Sequence, residues 1–312
     1  MSRAPQPEGI CPAVPFQSVI TMDGHTLVAR TYNPGAPGLP ILLLHGVMSS
    51  LPFWEPQLVE PFLPYGPCTA ITLPGHFPAA FPPHFGPSDL TAGCIAALLH
   101  AAFQTHSRQQ GMADNRPALI VGHSTGGFAA LALAVYCPQA VAGVISIAGF
   151  AQGRWSGWLR LFQWLARRER LGRAAFSALL FLGSLRPLFR ASAAYHTPIP
   201  RGRRTPRELE DLIEANFQAF RGFDARAMQI YFAAMSDINI LPQLPAIRVP
   251  VLALCGDADP AVPPVQSERI AAAIPRAELV VLRGGVGHMP FYAAEAAYRA
   301  AVDGWLRKHF AQ

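Results

Sequence analysis

A serine lies at a glycine-rich turn near the middle of the chain. The turn reads Gly122-His123-Ser124-Thr125-Gly126-Gly127; the run Ala118 to Val121 before it favours a strand, and the run Phe128 to Val135 after it favours a helix. A sharp strand-to-helix turn exposes a serine hydroxyl above the edge of a sheet, and small residues on either side let neighbouring backbone pass close by. The pattern predicts a nucleophile elbow with Ser124 as the nucleophile.

A histidine further along the chain could accept the proton of this serine. A serine hydroxyl is a poor nucleophile unless a histidine takes its proton, and a carboxylate fixes the tautomer of that histidine. His288 follows a predicted strand, Ala277 to Leu282, in a loop that contains Gly284, Gly285 and Gly287. We therefore predict that His288 is the base.

Two aspartates could supply the carboxylate. Asp257 and Asp259 both follow an apolar run, Val251 to Leu254, that favours a strand. Asp257 is next to a glycine turn, where an aspartate commonly bonds local backbone N–H groups. We favour Asp259 as the acid, with Asp257 as the alternative. The loop after the preceding predicted strand, residues 148–153, contains no carboxylate.

Composition restricts the class of protein. The chain has 312 residues, of which 51% are hydrophobic and 14% charged, so it can bury a large core and is neither disordered nor fibrous. The longest apolar stretch, Ala174 to Leu185, is 12 residues long, whereas a membrane-spanning helix needs about 20. Met1 to Val14 has no secretory apolar run, and the five cysteines form no CxxC pair. We expect a cytoplasmic protein with reduced thiols and no metal site.

Apolar runs and turn residues predict an α/β fold, with a mostly parallel, doubly wound sheet and helices on both faces. A hairpin, Phe16 to Ile20 and Thr26 to Arg30, leads the sheet. The predicted parallel strands are Ile41 to Leu44, Cys68 to Thr72, Ala118 to Val121, Val141 to Ile147, Val251 to Leu254 and Ala277 to Leu282. The predicted helices of this core are Trp54 to Phe62, Leu90 to Gln104, Gly127 to Cys137, Val265 to Ala273 and Ala293 to His309.

About a hundred residues separate the sixth predicted strand from the seventh, far more than a crossover helix needs. We predict a core formed by residues 1–148 and 241–312, with a helical cap, residues 149–240, inserted after the sixth strand. Residues 151–226 contain 14 Arg against 6 Asp plus Glu, a net charge of +8, and the rest of the chain has a net charge of −2. The basic character therefore belongs to the cap.

One segment of the cap combines aromatic residues with arginines. From Arg154 to Arg173 their spacing is compatible with a single helix that is apolar on one side and basic on the other. We favour a helix that covers the site with its apolar face on the core. The alternatives are an interfacial helix in weak contact with anionic lipid and nucleic-acid binding. The latter has the least support, since no recognition motif accompanies the charge, and we expect no nucleic-acid partner.

The order Ser124, Asp259, His288, together with alternating strands and helices, resembles the α/β-hydrolase family from about Val14 to Phe310. The resemblance implies that His45-Gly46-Val47 is an oxyanion-hole loop, with the backbone N–H groups of Val47 and Thr125 as donors. The family often has an aromatic residue where Trp54 stands. It also often has Asp where Thr72 stands and Gly where Phe77 stands, so the loop after the fourth strand departs from the family pattern.

These features predict a serine hydrolase that cleaves a small-molecule carboxylic ester with an apolar acyl or alkyl part, without a cofactor. The open alternatives are thioester, lactone or carbon–carbon bond hydrolysis, acyl transfer, and a hydrolase-like receptor without turnover. We expect the loop from Pro74 to Pro87 to border the site. The residues expected to contact the substrate are His45, Gly46, His123, Trp54, Trp158 and Met289.

Overall fold

The computed structural model describes residues 15–54, 58–112, 116–168, 170–197 and 207–310. Eight strands form one sheet: β1 (Phe16–Met22), β2 (His25–Thr31), β3 (Ile41–Leu44), β4 (Cys68–Ile71), β5 (Ala118–His123), β6 (Val141–Ile147), β7 (Val251–Gly256) and β8 (Ala277–Leu282). Their order across the sheet is β1-β2-β4-β3-β5-β6-β7-β8. The pairs β1/β2 and β2/β4 are antiparallel, and all the other pairs are parallel. This confirms the predicted mostly parallel sheet led by a hairpin.

The hairpin is closed by a two-residue turn. Asp23 and Gly24 have φ angles of 48° and 77°, and Met22 pairs with His25. A two-residue turn with positive φ at both positions matches the right-handed twist of the flanking strands, and Asp-Gly is a favoured sequence for it. The turn residues therefore set the register of β1 against β2.

Helices cover both faces of the sheet, as predicted. Alternate side chains of β5 enter different hydrophobic clusters: Ile120 packs with helices on one face, and Leu119 and Val121 pack on the other face with the last helix of the chain. Such two-sided burial explains why the strands are continuously apolar. The helices are α1 (Ala92–Gln109), α2 (Thr125–Tyr136), α3 (Gly157–Ala166), α4 (Arg170–Gly183), α5 (Arg186–His196), α6 (Arg207–Arg221), α7 (Ala225–Met235), α8 (Val265–Ala273), α9 (Pro290–Ala293) and α10 (Glu295–Phe310).

The helix predicted over Trp54 to Phe62 is wrong. The structure has two short 3-10 helices, Leu51–Trp54 and Glu60–Tyr65, and residues 55–57 are outside the described part of the chain. Pro61 lies in the first turn of the second segment and Pro64 lies inside it. Proline lacks a backbone N–H and clashes with the preceding turn, so this sequence cannot continue as a regular α-helix.

The predicted C-terminal helix, Ala293 to His309, is present as α10 but begins two residues later, after a separate short helix, α9. Pro290 starts α9, and Ala294 then adopts φ −140° and ψ 47°, outside the helical region, before α10 begins at Glu295. No local pattern marks this break, because alanine is a strong helix former. The break places α9 directly after the loop that carries His288.

The helical insertion after the sixth strand is present and contains α3 to α7. The single amphipathic helix expected from Arg154 to Arg173 is instead two helices, α3 and α4. A Cβ on Gly172 would lie 2.9 Å from the carbonyl oxygen of Leu165 and 2.1 Å from the Cβ of Arg168, so glycine allows the second helix to pass close to the end of the first. We call residues 149–240 the cap.

The cap and the core share one hydrophobic cluster. Phe176 of α4 and Phe232 of α7 belong to the same cluster as Phe128 of α2 and Phe150, which follows β6. The rings of Phe128 and Phe150 are stacked with their centroids 5.3 Å apart. In the described chain no single helix has both the length and the apolarity to cross a bilayer; only α4 and α5 taken together do, and they meet at 90°.

Candidate active site

Ser124 occupies the sharp turn between β5 and α2. Its φ of 56° and ψ of −116° lie in a strained region for a residue with a side chain. A Cβ on Gly122 would lie 2.1 Å from the carbonyl oxygen of Gly126, and one on Gly126 would lie 2.1 Å from the carbonyl oxygen of Leu44. The Ser124 N–H donates to the Ile147 carbonyl at 2.8 Å. Crowded backbone therefore holds the serine in its strained conformation at the carboxyl edge of the sheet.

The structure brings His288 and Asp259 together. Their Nδ1 and Oδ2 atoms are 2.7 Å apart, so with the carboxylate ionised Nδ1–H is the donor, and in the neutral imidazole Nε2 is the nitrogen that can accept a proton. The other oxygen of Asp259 accepts backbone N–H groups from Ala261 at 2.8 Å and Val262 at 2.9 Å. Burial raises the pKa of Asp259, but His288 and the accepted hydrogen bonds outweigh it and hold the pKa below its ordinary value.

Asp257 lies elsewhere and holds the loop that precedes His288. Its carboxylate accepts the backbone N–H groups of Gly284 at 2.9 Å, Gly285 at 3.0 Å and Val286 at 2.8 Å. These hydrogen bonds, that of Gly284 foremost, lower the pKa of Asp257. Of the two aspartates that the sequence left open, Asp259 is the one in contact with His288.

Two backbone amides next to Ser124 are available to an oxyanion. The first hydrogen bond of α2 runs from the Phe128 N–H to the Ser124 carbonyl at 3.1 Å. The Thr125 N–H lies before this bond and therefore has no acceptor within the helix. The buried His45 accepts from Leu73 N–H at 3.0 Å through Nε2 and donates from Nδ1 to the Gly46 carbonyl at 2.8 Å. The Gly46 carbonyl and the Val47 N–H belong to the same peptide group, and in a trans peptide these two groups point in opposite directions. Since the carbonyl points towards His45, the Val47 N–H points away from it.

Ser124 and His288 line a cavity of about 200 Å³ between the core and the cap. The walls are mostly apolar, and both units contribute to them. The core supplies Gly46, Val47, Met48, Ser49, Phe53, His123, Ser124, His288 and Met289; the cap supplies Trp158, Leu159, Phe162, Gly183, Phe189, Ser192, Ala193, His196, Leu209, Leu212, Ile213, Asn216 and Phe220.

Four of the six residues expected to contact substrate line this cavity: Gly46, His123, Trp158 and Met289. His45 does not, because its ring is fully buried between the Gly46 carbonyl and the Leu73 amide, and this burial lowers its pKa to about 4. Trp54 does not either, since it is 1% exposed and packs in the hydrophobic cluster beneath the sheet. Its neighbour Phe53 lines the cavity and stacks on His123 with ring centroids 5.0 Å apart.

Sequence reasoning missed His196, which ends α5 and lines the cavity. The His288 N–H donates to the His196 carbonyl at 2.9 Å. His123 donates from Nε2 to the His288 carbonyl, also at 2.9 Å. Both backbone polar groups of His288 are thus fixed, one by the cap and one by the elbow. Neither a strand nor glycines precede His196 in the sequence, so no local pattern marked it.

The free ring nitrogen of His196 is a polar group in the apolar cavity. Its Nδ1 lies 2.8 Å from the Ser192 carbonyl, which can only accept, so Nδ1 carries the proton and Nε2 is an acceptor. Burial and the neighbouring His288 lower the pKa of His196. A second polar pair is Ser49, whose hydroxyl donates to Asn216 Oδ1 at 2.5 Å, linking the core to α6.

The proline-rich loop does not border the cavity. Residues 74–87 are all described, and none of them lines it. Phe85 and Phe81 pack instead against His25, with ring centroids 4.8 Å and 5.9 Å away. At the end of β4, Thr72 Oγ1 accepts the Val28 N–H at 2.9 Å, so the threonine that departs from the family pattern joins β2 to the sheet.

No group of three His, Cys, Asp or Glu side chains suited to a metal ion occurs in residues 15–54, 58–112, 116–168, 170–197 and 207–310. The cysteines in these ranges, Cys68, Cys94, Cys137 and Cys255, are free thiols. Burial raises the pKa of Cys255 to about 11, so this thiol near Asp259 stays protonated at neutral pH.

Solved structures of similar fold cover almost the whole chain. The enol-lactonase from Burkholderia xenovorans LB400 superposes with a TM-score of 0.70 at 20% identity, over 93% of this chain and 99% of its own. A thermophilic esterase from Thermogutta terrifontis superposes with a TM-score of 0.68 at 20% identity, over 95% of this chain and 99% of its own. An esterase from Rhodococcus sp. ECU1013 superposes with a TM-score of 0.68 at 21% identity, over 93% of this chain and 98% of its own.

No curated protein matches the sequence. The model of the alpha/beta hydrolase family matches residues 41–301, which include the elbow, the cap and the loops of Asp259 and His288. This match covers more than half of the chain and agrees with the strand order and the site geometry described above. The chain belongs to the α/β-hydrolase family.

Proposed function

We propose that the protein is a serine hydrolase that cleaves small carboxylic esters with an apolar acyl or alkyl part. The observation that carries the proposal is that Ser124 and His288 line one cavity and that Asp259 is bound to His288. Ser124 is held at a strained turn, and His288 has its Nδ1 bound to Asp259 and its Nε2 free. This is the tautomer that a general base for a serine hydroxyl requires.

The reaction follows from these roles. Ser124 Oγ attacks the ester carbonyl carbon while His288 Nε2 takes the hydroxyl proton, and Asp259 stabilises the imidazolium that forms. The N–H groups of Val47 and Thr125 hold the oxyanion. Collapse of this intermediate breaks the bond to the alcohol, which leaves with the proton from His288. Water then attacks the acyl-enzyme with His288 again as base, and the acid is released.

The cavity walls support an apolar substrate portion. Phe162, Phe189 and Leu212 are among the side chains that line it. The few polar residues away from Ser124 are Ser49, Ser192, His196 and Asn216. Its volume of about 200 Å³ is smaller than the roughly 300–1,000 Å³ of sites for drug-sized ligands. These features favour a small ester whose apolar part lies under the cap.

Lactone hydrolysis is the second candidate. It uses the same acyl-enzyme chemistry, and one structure of similar fold is an enol-lactonase. A lactone differs from an open ester because its alcohol stays attached to the acyl group, so the whole ring must fit beside Ser124. Comparison of open-chain esters with lactones of the same carbon number separates the two candidates.

The decisive experiment compares the wild type with Ser124→Ala on a short p-nitrophenyl ester. We expect kcat to fall on the order of 10⁴- to 10⁶-fold, because triad members act as a unit. A fluorophosphonate should add once, at Ser124, and abolish turnover. Ser177→Ala is the matched control, since Ser177 lies on the exposed side of α4 and should keep full activity.

Retention of turnover by Ser124→Ala, or labelling of another residue with activity unchanged, would exclude the proposed nucleophile. A wild type that binds small esters in the cavity without turning them over would favour the receptor alternative. Thioesters, a substrate with a cleavable carbon–carbon bond and an added small alcohol extend the assay to the remaining acyl chemistries.

A further inference from the structure

The outside of the cap exposes many large apolar side chains. Of fourteen large hydrophobic residues exposed in the described part of the chain, nine lie between positions 158 and 195. Soluble monomers rarely expose extended apolar patches, and those that do generally use them for binding. We call these nine residues the cap surface: Trp158, Leu161, Trp164, Leu171, Phe181, Leu182, Leu185, Leu188 and Tyr195.

The cap surface combines apolar groups with arginines. Trp164 of α3 and Leu171 of α4 line a single surface groove together with Arg168 and Arg170. The guanidinium of Arg168 lies over the Trp164 ring, 4.6 Å from its centroid. In this groove, apolar and cationic side chains therefore lie next to each other.

Most of these arginines form no ion pair with a carboxylate that the structure describes. Residues 154–196 contain eight Arg, no Lys and a single acidic residue. Among the side chains that the structure describes, Arg167, Arg186 and Arg190 pair with Asp237, Glu214 and Glu210. The remaining five form no such ion pair within the described ranges: Arg154, Arg160, Arg168, Arg170 and Arg173. A ligand for this face must accept apolar side chains and supply negative charge.

We propose that the cap surface docks on an anionic lipid bilayer. Trp, Leu and Phe next to arginines form the composition that settles at the boundary between headgroups and acyl chains. A second copy fits this face poorly, because a two-fold interface would bring together two faces that both carry a net positive charge. A nucleic acid would supply phosphates but would leave Leu171 and Phe181, which are 88% and 67% exposed, without apolar contacts.

The docked cap lies on the bilayer and does not cross it, because its helices are short and α4 meets α5 at 90°. Trp158 links this face to the candidate active site, since it lines the cavity and is also 59% exposed. Docking therefore brings the boundary of the cavity next to the lipid. The proposal concerns binding and does not depend on which bond the site cleaves.

The test is sedimentation of the full chain with sucrose-loaded vesicles, using Ser124→Ala so that no lipid is consumed. We expect binding to vesicles of phosphatidylcholine with 30% phosphatidylserine and much weaker binding to phosphatidylcholine alone. Binding should weaken as the salt concentration rises from about 0.1 M to 1 M, where the screening length falls from about 10 Å to 3 Å. The triple variant R168Q/R170Q/R173Q should bind on the order of 100-fold more weakly, at roughly five-fold per arginine.

Matched control variants distinguish vesicle binding through the cap surface from vesicle binding through the overall charge of the protein. The triple variant R276Q/R283Q/R307Q removes the same charge from the core and should bind like the parent. L171S/F181S should lose binding even at low salt, whereas V19S/V265S, which alters exposed apolar residues of the core, should retain it. Thermal unfolding of each variant checks that the fold is intact.

Three outcomes would overturn the proposal. One is the absence of binding to the anionic vesicles at low salt by a monodisperse chain. Another is an equal loss of binding in the core and cap arginine variants, which would indicate a general charge effect. The third is self-association without vesicles that L171S/F181S abolishes, which would make the cap surface an interface between copies of this chain.

Discussion

Two aspartates separated by one residue have different surroundings because the chain turns sharply after β7. Asp259 is buried, at 6% exposure, and one of its oxygens faces His288. Asp257 is half-buried and its carboxylate accepts three consecutive loop amides. The first arrangement orients an imidazole, and the second stabilises the loop that carries it. Identical side chains thus acquire different functions from the backbone around them.

We expect Asp259→Asn to lower kcat for ester hydrolysis on the order of 10⁴-fold with the fold intact, because an amide stabilises the wrong histidine tautomer. Asp257→Asn should cost far less in kcat, because Asp257 does not contact His288. Steady-state kinetics of the two variants, with circular dichroism to confirm folding, measures the difference. The reverse result would assign the acid to Asp257.

At the scale of single elements, the elbow depends on the absence of side chains where backbones cross. Gly126, at the start of α2, leaves no room for a methyl group against the Leu44 and His45 carbonyls, 2.1 Å and 2.7 Å from the Cβ position. The end of β3 cannot move away easily, since it is paired on both sides by β4 and β5. The close approach fixes the distance between Ser124 and the loop that follows β3, which is the proposed oxyanion loop.

We expect Gly126→Ala to destabilise the protein by about 1–3 kcal/mol or more, the usual result of overpacking a crowded site. Gly304→Ala in α10 is the control, because nothing lies within 4 Å of that Cβ position. Alanine there should be neutral or stabilise by up to about 1 kcal/mol. Denaturant unfolding of both variants gives the two free energies, and equal effects would contradict the proposed packing role.

The elements that sequence patterns predicted well are those whose signal is local. Continuous apolar runs identified the strands, and the Asp-Gly pair identified the hairpin turn. The errors arose where tertiary contacts decide. Trp54 and Phe53 are adjacent aromatic residues, and only packing determines that Phe53 faces the cavity. His196 reaches the site because α5 folds back over the core, a long-range event that no pattern around residue 196 encodes.

On the scale of the whole molecule, hydrogen bonds and a shared hydrophobic cluster join the cap to the core. The His288 N–H bonds to the carbonyl of His196 in the cap, and Ser49 of the core bonds to Asn216 of α6. The ring of Phe176 in α4 packs edge-on against Phe232 of α7, with centroids 5.6 Å apart, within the cluster shared by both units. Loss of cap packing should therefore affect the core and the geometry of His288.

We expect the chain to unfold in one transition that includes both units. Phe176→Ala should lower the free energy of unfolding by about 3–5 kcal/mol, as for other buried phenylalanines, and should shift the transition of the core as much as that of the cap. Phe181→Ala, in the same helix but 67% exposed, should have little effect in the absence of lipid. Calorimetry, together with ester turnover during heating, measures the unfolding of the cap and of the core in the two variants. A separate low-temperature transition in Phe176→Ala, with the core unchanged, would show that the cap folds independently. It would also show that the packing of the cap stabilises the position of His288 less than the shared cluster implies.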